Sequence, residues 1–164
     1  MSNIIVVIIS VFIILFLQIG IFPHLSILNT YPNLILISIS ALSIIQGWKK
    51  TLPWTIFGGL FLDFYSFTNI LGISVIMLLI VSYVSYFLSQ NTFKKTTFFS
   101  LVSIFLIIIF VYNLLSIIFF KIFEINFNFG FLKFIVGIIY NLIFALPLFY
   151  LFKKYDTKFR KVQS

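Results

Sequence analysis

Six long apolar runs, separated by charged residues, Pro, Asn or Gly, constrain the fold of this chain more than any other feature. They cover about 4–21, 33–47, 53–68, 70–89, 97–120 and 131–152. A helix needs roughly 20 apolar residues to cross about 30 Å of hydrocarbon, and the loops between six such helices must then be short. The runs therefore predict an all-α, polytopic membrane protein: a compact bundle of about six transmembrane helices forming a single integral membrane domain, 1–164. The second and third runs are short for full crossings, so we expect a tilt or an extension through their flanking aromatic residues.

The composition supports a membrane protein and excludes several kinds of chemistry. Hydrophobic residues make up 62% of the chain and charged residues only 9%, and the mean hydropathy is +1.23, values far from those of soluble domains. Cysteine is absent, which excludes disulfides, thiol catalysis and Cys-ligated metals. The single histidine, His24, has no nearby His, Cys or acidic residue to complete a metal site, so no metal and no cofactor is expected.

The basic residues are placed as topology signals. Nine of the eleven follow an even-numbered run, in three clusters: Lys49 with Lys50, Lys94 with Lys95, and "KKYDTKFRK" (153–161), which begins with Lys153 and Lys154. Six spans put all three clusters on one side of the membrane. Since Lys and Arg are retained on the cytoplasmic side, both termini are predicted to be cytoplasmic, with 153–164 as a basic cytoplasmic tail. The net charge of +8 does not indicate nucleic-acid binding, because the basic residues are not gathered on one face among stacking aromatics.

Small and weakly polar residues recur at helical spacing within the runs, and in lipid such residues mark packing faces. We expect these faces to look inward or toward a partner protein, and the opposite Phe, Ile and Leu faces to look toward lipid or a hydrophobic partner. The faces are Asn33, Leu36, Ser40, Ser43 and Gly47; Thr55, Gly59, Asp63 and Ser66; Ser82, Ser85 and Ser89; Asn113 and Ser116; and Gly137 and Asn141.

Asp63 is the one carboxylate inside an apolar run, in "GGLFLDFYSF" (58–67). Facing lipid it would cost about 2.5–3.5 kcal/mol, so it should face protein or water. Gly58 and Gly59 allow a neighbouring helix to approach, and we expect Asn113 or Asn141 to bond the carboxyl group. Three interpretations stay open: a structural hydrogen-bonding role, a contact to a partner or ligand, and a proton or ion relay. No set of nucleophile, base and orienting group can be assembled, so catalysis is not expected.

Residues 31–84 resemble the family of the bacterial rod shape-determining protein MreD. A Pro-led second helix is followed by a short charged turn, then by a Gly-rich third helix with a Gly-x-x-x-Asp pattern, and a Leu-Gly pair introduces the fourth helix. The corresponding elements are Pro32, the turn 47–50, Gly59 with Asp63, and Leu71 with Gly72. The length, the six-span count and the basic C-terminal end are also similar to those of the family.

The resemblance implies a non-enzymatic, multi-pass subunit of the bacterial inner membrane that acts in cell elongation and peptidoglycan synthesis. Its implied partners are the bitopic protein MreC, MreB filaments, the polymerase RodA and a class B penicillin-binding transpeptidase. Under this hypothesis the Gly58, Gly59, Asp63 and Ser66 region fixes the bundle so that an outer face docks the transmembrane helix of MreC. The candidate structural or partner-binding residues are Pro32, Gly58, Gly59, Asp63, Ser66, Gly72, Asn113 and Asn141.

Two alternatives come from other functional classes. The first is a substrate-binding subunit of an energy-coupling-factor transporter, which is also a small six-helix protein. Such subunits usually dock their partner through an Ala-x-x-x-Ala surface on the first helix, whereas the first run here contains no alanine. The second is an ion or proton channel, which normally shows rings of charge or repeated polar filters that this sequence lacks.

Overall fold

The computed structural model describes residues 13–65, 70–92, 97–124 and 130–163, with side chains as far as residue 156. Over these residues the chain is an all-α bundle of six helices, which confirms the predicted fold class. The helices are α1 (Ile13–Leu25), α2 (Leu34–Gln46), α3 (Trp48–Tyr65), α4 (Ile73–Phe87, continued by a π-turn over Leu88–Thr92), α5 (Phe98–Ile122) and α6 (Phe131–Gln163).

Two helix boundaries differ from those predicted. α3 begins at Trp48 and not at 53, so Pro53 lies inside the helix. Gly47, with φ of +88°, makes the break between α2 and α3, and the exposed Lys49 and Lys50 occupy the first turn of α3. Charged residues had suggested a loop here, but long cationic side chains are compatible with a helical turn at a membrane surface. α6 likewise does not stop at 152 but continues through the predicted tail to Gln163.

α2 is the central helix of the bundle. Every residue from Leu34 to Ala41 is buried, and the helix packs against α3, α4 and α6. The expectation that each helix has one lipid-facing side is therefore wrong for this stretch. The physical reason is its composition, since a helix that is hydrophobic all round belongs in a core.

Within the described residues, three helices are long and apolar enough to cross a membrane: Ile73–Thr92, Phe98–Ile122 and Phe131–Asp156. The 13 residues of α2 extend only about 20 Å at 1.5 Å per residue, which is less than the roughly 30 Å of hydrocarbon. Because α2 is surrounded by protein and Leu34 is 2% exposed, the start of the helix lies inside the bundle. Its backbone groups must therefore find partners within the protein.

Adjacent glycines seat α3 between α2 and α4. A Cβ atom added to Gly59 would lie 2.5 Å from the Cα atom of Val75, so here the α3 and α4 backbones touch. A Cβ atom added to Gly58 would instead meet side chains of α2, at 2.8 Å from Ile35 Cγ2 and 3.0 Å from Ile39 Cδ1. The glycine pair thus serves two different interfaces, and only Gly59 faces backbone.

The Gly59→Ala variant should be markedly less stable than Gly58→Ala. Overpacking of a filled interface costs about 1–3 kcal/mol; at Gly59 the backbone of α4 would have to move, whereas at Gly58 two isoleucine side chains can adjust. Both variants gain about 1 kcal/mol of helix propensity, which makes them a matched pair. Unfolding free energies of the two variants in detergent or bicelles test this difference. Equal loss of stability in both would show that the α3–α4 approach is not as close as described.

Candidate functional site

The start of α4 is capped by a carboxylate from the preceding helix. Asp63 Oδ2 accepts a hydrogen bond from the Gly72 N–H at 2.7 Å, and Oδ1 accepts one from the Ser74 N–H at 2.9 Å. The first N–H groups of any helix have no partner within the helix, and a negative charge there also interacts favourably with the helix dipole. Asp63 is 3% exposed, so these bonds form away from water.

Glycine is needed at position 72 for this cap. Gly72 has φ of +103°, a left-handed conformation that a residue with a Cβ atom adopts only at an energetic cost. The conformation places its N–H on the carboxylate directly before α4 begins. Asp63 and Gly72, two of the candidate residues from the sequence, are therefore joined by a direct hydrogen bond.

The prediction that Asn113 or Asn141 bonds the Asp63 carboxyl group is wrong. Asn113 Nδ2 donates within its own helix to the Ile109 carbonyl at 2.9 Å, and Asn141 Nδ2 donates to the Gly137 carbonyl at 2.7 Å. The carboxylate is engaged instead by backbone only nine to eleven residues further along the chain. Closing such a short loop costs less entropy than bringing in a distant helix. The geometry favours the structural interpretation of Asp63.

The start of α2 is satisfied by side chains from two other helices. The Asn33 N–H donates to Asn141 Oδ1 of α6 at 2.9 Å, and the Leu34 N–H donates to Gln18 Oε1 of α1 at 2.7 Å. Gln18 and Asn141 are 2% and 7% exposed. α1 and α6, which contribute these two accepting side chains, are thereby fixed to the start of the central helix.

Asn33 also caps α2 with its own side chain. Its Oδ1 accepts from the Leu36 N–H at 3.0 Å, as expected of an Asn at the N-cap position. Its Nδ2 donates to the Tyr112 hydroxyl of α5 at 3.3 Å. Pro32, directly before the cap, is buried. Three further helices, α1, α5 and α6, thus meet at the start of α2.

Two members of this network, Gln18 and Tyr112, were not selected from the sequence. Gln18 had a usable signal, because an amide in an apolar span is costly to bury without a partner. Tyr112 had none, since tyrosine is common at membrane interfaces and its position gives no indication of a buried hydroxyl contact.

The connection between α1 and α2 is a tight turn that reaches α3. Ile27 and Thr30 pair through two backbone hydrogen bonds of 3.0 and 2.9 Å. Further along, Tyr31 lies near Tyr65, and burial, followed by the proximity of Tyr65, raises the pKa of Tyr31 above its ordinary value. The Tyr31 hydroxyl therefore remains protonated at neutral pH.

The described residues of the predicted small-residue faces are buried or half-buried, and most of their polar side chains are bonded within the bundle. Ser43 Oγ of α2 donates to the Ser82 carbonyl of α4 at 2.6 Å. Ser85 and Ser116 donate to carbonyls of their own helices. Ser38, in contrast, is buried with no hydrogen-bond partner for its hydroxyl among the described residues.

The remaining predicted residues lie away from these helix starts or outside the described part. Ser66, Lys94 and Lys95 lie outside the described residues. Lys153 and Lys154 belong to α6, where Lys153 Nζ lies 5.9 Å from the centre of the Phe149 ring.

Comparison with known proteins identifies one family. A family model described as rod shape-determining protein MreD matches residues 1–155. This range includes both capped helix starts and all of the helices up to the last turns of α6. No curated protein and no solved structure matches the chain.

Replacement of Asp63 should destabilise the bundle in a graded way. Asp63→Ala leaves two buried N–H groups without their acceptor, and each unsatisfied group costs about 1–3 kcal/mol. Asp63→Asn should lose less stability, because its one remaining carbonyl oxygen can still accept a hydrogen bond. The free energy of unfolding in a mild detergent measures both variants.

The matched control is Glu124→Gln, at an exposed carboxylate just after α5. It should change stability little. Loss of the same size in Glu124→Gln and Asp63→Ala would contradict a specific cap at α4.

Proposed function

Because the chain belongs to the family of the rod shape-determining protein MreD, a family of membrane proteins with a role in cell shape, we propose that it is a non-catalytic scaffold subunit of the bacterial cell-elongation machinery. In this proposal it is a multi-pass protein of the cell inner membrane with both termini in the cytoplasm. It binds an MreC-like bitopic protein and helps to couple MreB filaments to peptidoglycan synthesis by a RodA-type polymerase and a class B penicillin-binding transpeptidase.

The observation that carries the proposal is the distribution of polar groups in the bundle. Most of the polar side chains picked out in the sequence are engaged by neighbouring helices or by their own helix, as at Asp63, Asn33 and Ser43. The outer surfaces of the described helices are instead rich in large apolar side chains, with Phe57 68% exposed on α3 and Phe110 53% exposed on α5. Such a molecule offers a transmembrane partner a rigid apolar surface.

This distribution also supports docking on the outer surface of the bundle. Packing of a single transmembrane helix needs close van der Waals contact, since lipid tails are as apolar as the partner helix. The glycines and the Asp63 cap act on the inside, where they hold α3 against α2 and α4. Gly58, Gly59 and Asp63 therefore support docking indirectly, and the outer faces of the helices make the contact.

Crosslinking from single cysteines tests the proposed contact, and the chain has no natural cysteine to interfere. Outward positions for the substitution are Phe57, Phe110 and Ile139, which are 68%, 53% and 52% exposed on α3, α5 and α6, and Ser82, 1% exposed, is the buried control. Each variant is paired with cysteines scanned along the transmembrane helix of MreC in cells that retain rod shape.

We expect a short bismaleimide reagent to capture MreC from one outer face and not from Ser82. If none of the outward positions on the three helices gives a crosslink while the complex remains functional, the docking proposal is wrong.

A further inference from the structure

A cavity of about 410 Å³ opens between α5 and α6, at the end of the bundle that carries the α1–α2 and α5–α6 connections. Its size lies within the range of small-molecule sites, roughly 300–1,000 Å³. Its polar lining comes from separate parts of the fold: Asn29, Asn33, Tyr112, Asn113, Lys133 and Asn141.

The cavity has a charged side chain, Lys133, near its opening and polar side chains, such as that of Asn141, further inside. Lys133 is the third residue of α6 and is exposed. Asn141, eight residues further along the same helix, lies about 12 Å deeper at 1.5 Å per residue. Gly130 and Gly137 also line the cavity. A Cβ atom on Gly130 would lie 3.4 Å from the Lys133 side chain, and one on Gly137 would lie 3.4 Å from Thr30 Cγ2.

Three polar groups in the lining can form further hydrogen bonds or ion pairs beyond those they make within the bundle. The Tyr112 hydroxyl accepts from Asn33, and within the described residues its own proton has no acceptor. Asn113 uses its Nδ2 on Ile109, while no described donor reaches its Oδ1. The Lys133 ammonium makes no hydrogen bond or ion pair with a described residue. Asn141, in contrast, is engaged through both ends of its amide.

These groups define the chemistry of a ligand. An ammonium at the mouth suits an anion, and Lys133 lies near the start of a membrane-spanning helix, at the level where phosphates of a bilayer are found. Deeper in, a hydroxyl donor and an amide acceptor suit a ligand hydroxyl group, which can both accept and donate. The rest of the lining includes Leu36, Ile109, Ile117 and Phe134, against which the carbon skeleton of such a ligand can pack.

We propose that this cavity binds a phosphate ester that carries hydroxyl groups, with glycerol phosphate as the model chemistry. Lys133 contacts the phosphate, while Tyr112 and Asn113 contact the hydroxyls. The same chemistry has two sources, the headgroup of phosphatidylglycerol and free glycerol phosphate in solution. The site does not depend on the scaffold proposal, since a bundle that fails to dock MreC would still contain it.

The test uses the full chain in phosphatidylcholine nanodiscs, whose zwitterionic headgroup carries no hydroxyls. One arm adds phosphatidylglycerol and measures the lipid retained on the protein by native mass spectrometry. The other arm titrates sn-glycerol 3-phosphate and measures binding by calorimetry. Lys133→Gln and Asn113→Leu remove one ligand contact each, and Lys121→Gln is the matched control, because Lys121 is exposed at the end of α5 and does not line the cavity.

We expect Lys133→Gln and Asn113→Leu to weaken binding about tenfold, as for loss of a hydrogen bond to a charged or buried group, and Lys121→Gln to bind like the unmodified chain. Asn113→Leu keeps the test decisive if Lys133→Gln folds poorly, because the Asn113 amide bonds only within its own helix. Binding in the lipid arm alone identifies a headgroup site, and binding of glycerol phosphate identifies a site for the soluble ester. Binding in neither arm, or equal weakening by Lys121→Gln and Lys133→Gln, would overturn the proposal.

Discussion

The structure depends on one constraint, that helices which begin inside a membrane bundle must have their first N–H groups satisfied by protein. Water is not available to replace a missing partner there, and each unsatisfied group costs several kcal/mol. α4 meets this constraint with Asp63. α2 meets it with Gln18, Asn141 and its own cap, Asn33. α2 can be short because side chains of α1 and α6 satisfy the N–H groups at its start.

The caps and the close helix contacts depend on each other. Gly59 brings the backbones of α3 and α4 together, which places Asp63, one turn further along α3, beside the start of α4. Further along α4, the Ser82 carbonyl accepts a hydrogen bond from Ser43 Oγ, which holds α2 to α4. Three helices are thereby fixed in one arrangement, with polar bonds inside and apolar side chains outside. The proposed scaffold function requires a fixed arrangement of this kind, because it holds the outer apolar faces in one position.

The sequence predicted the elements of this arrangement better than their connections. Apolar runs indicated six helices, and the spacing of Thr55, Gly59 and Asp63 indicated a buried face on α3, where all three are buried. The partner of Asp63 could not be predicted in the same way. A carboxylate accepts equally well from an amide side chain or a backbone N–H, and the choice depends on the loop that returns α4 to α3. Gln18 and the Leu34 N–H also meet across a loop, so their pairing becomes visible only in three dimensions.

Amide hydrogen exchange in the unmodified protein tests the capped helix starts most directly. The N–H groups of Gly72, Ser74 and Leu34 are to be compared, residue by residue and in nanodiscs, with those of Phe98 and Phe99 at the start of α5, whose side chains are 54% and 82% exposed. If the caps hold, amide exchange at the three capped positions should be roughly tenfold to a hundredfold slower than at Phe98 and Phe99. Exchange at the same rate in both groups would mean that water reaches the starts of α2 and α4, and that the side chains of Asp63 and Gln18 do not hold them.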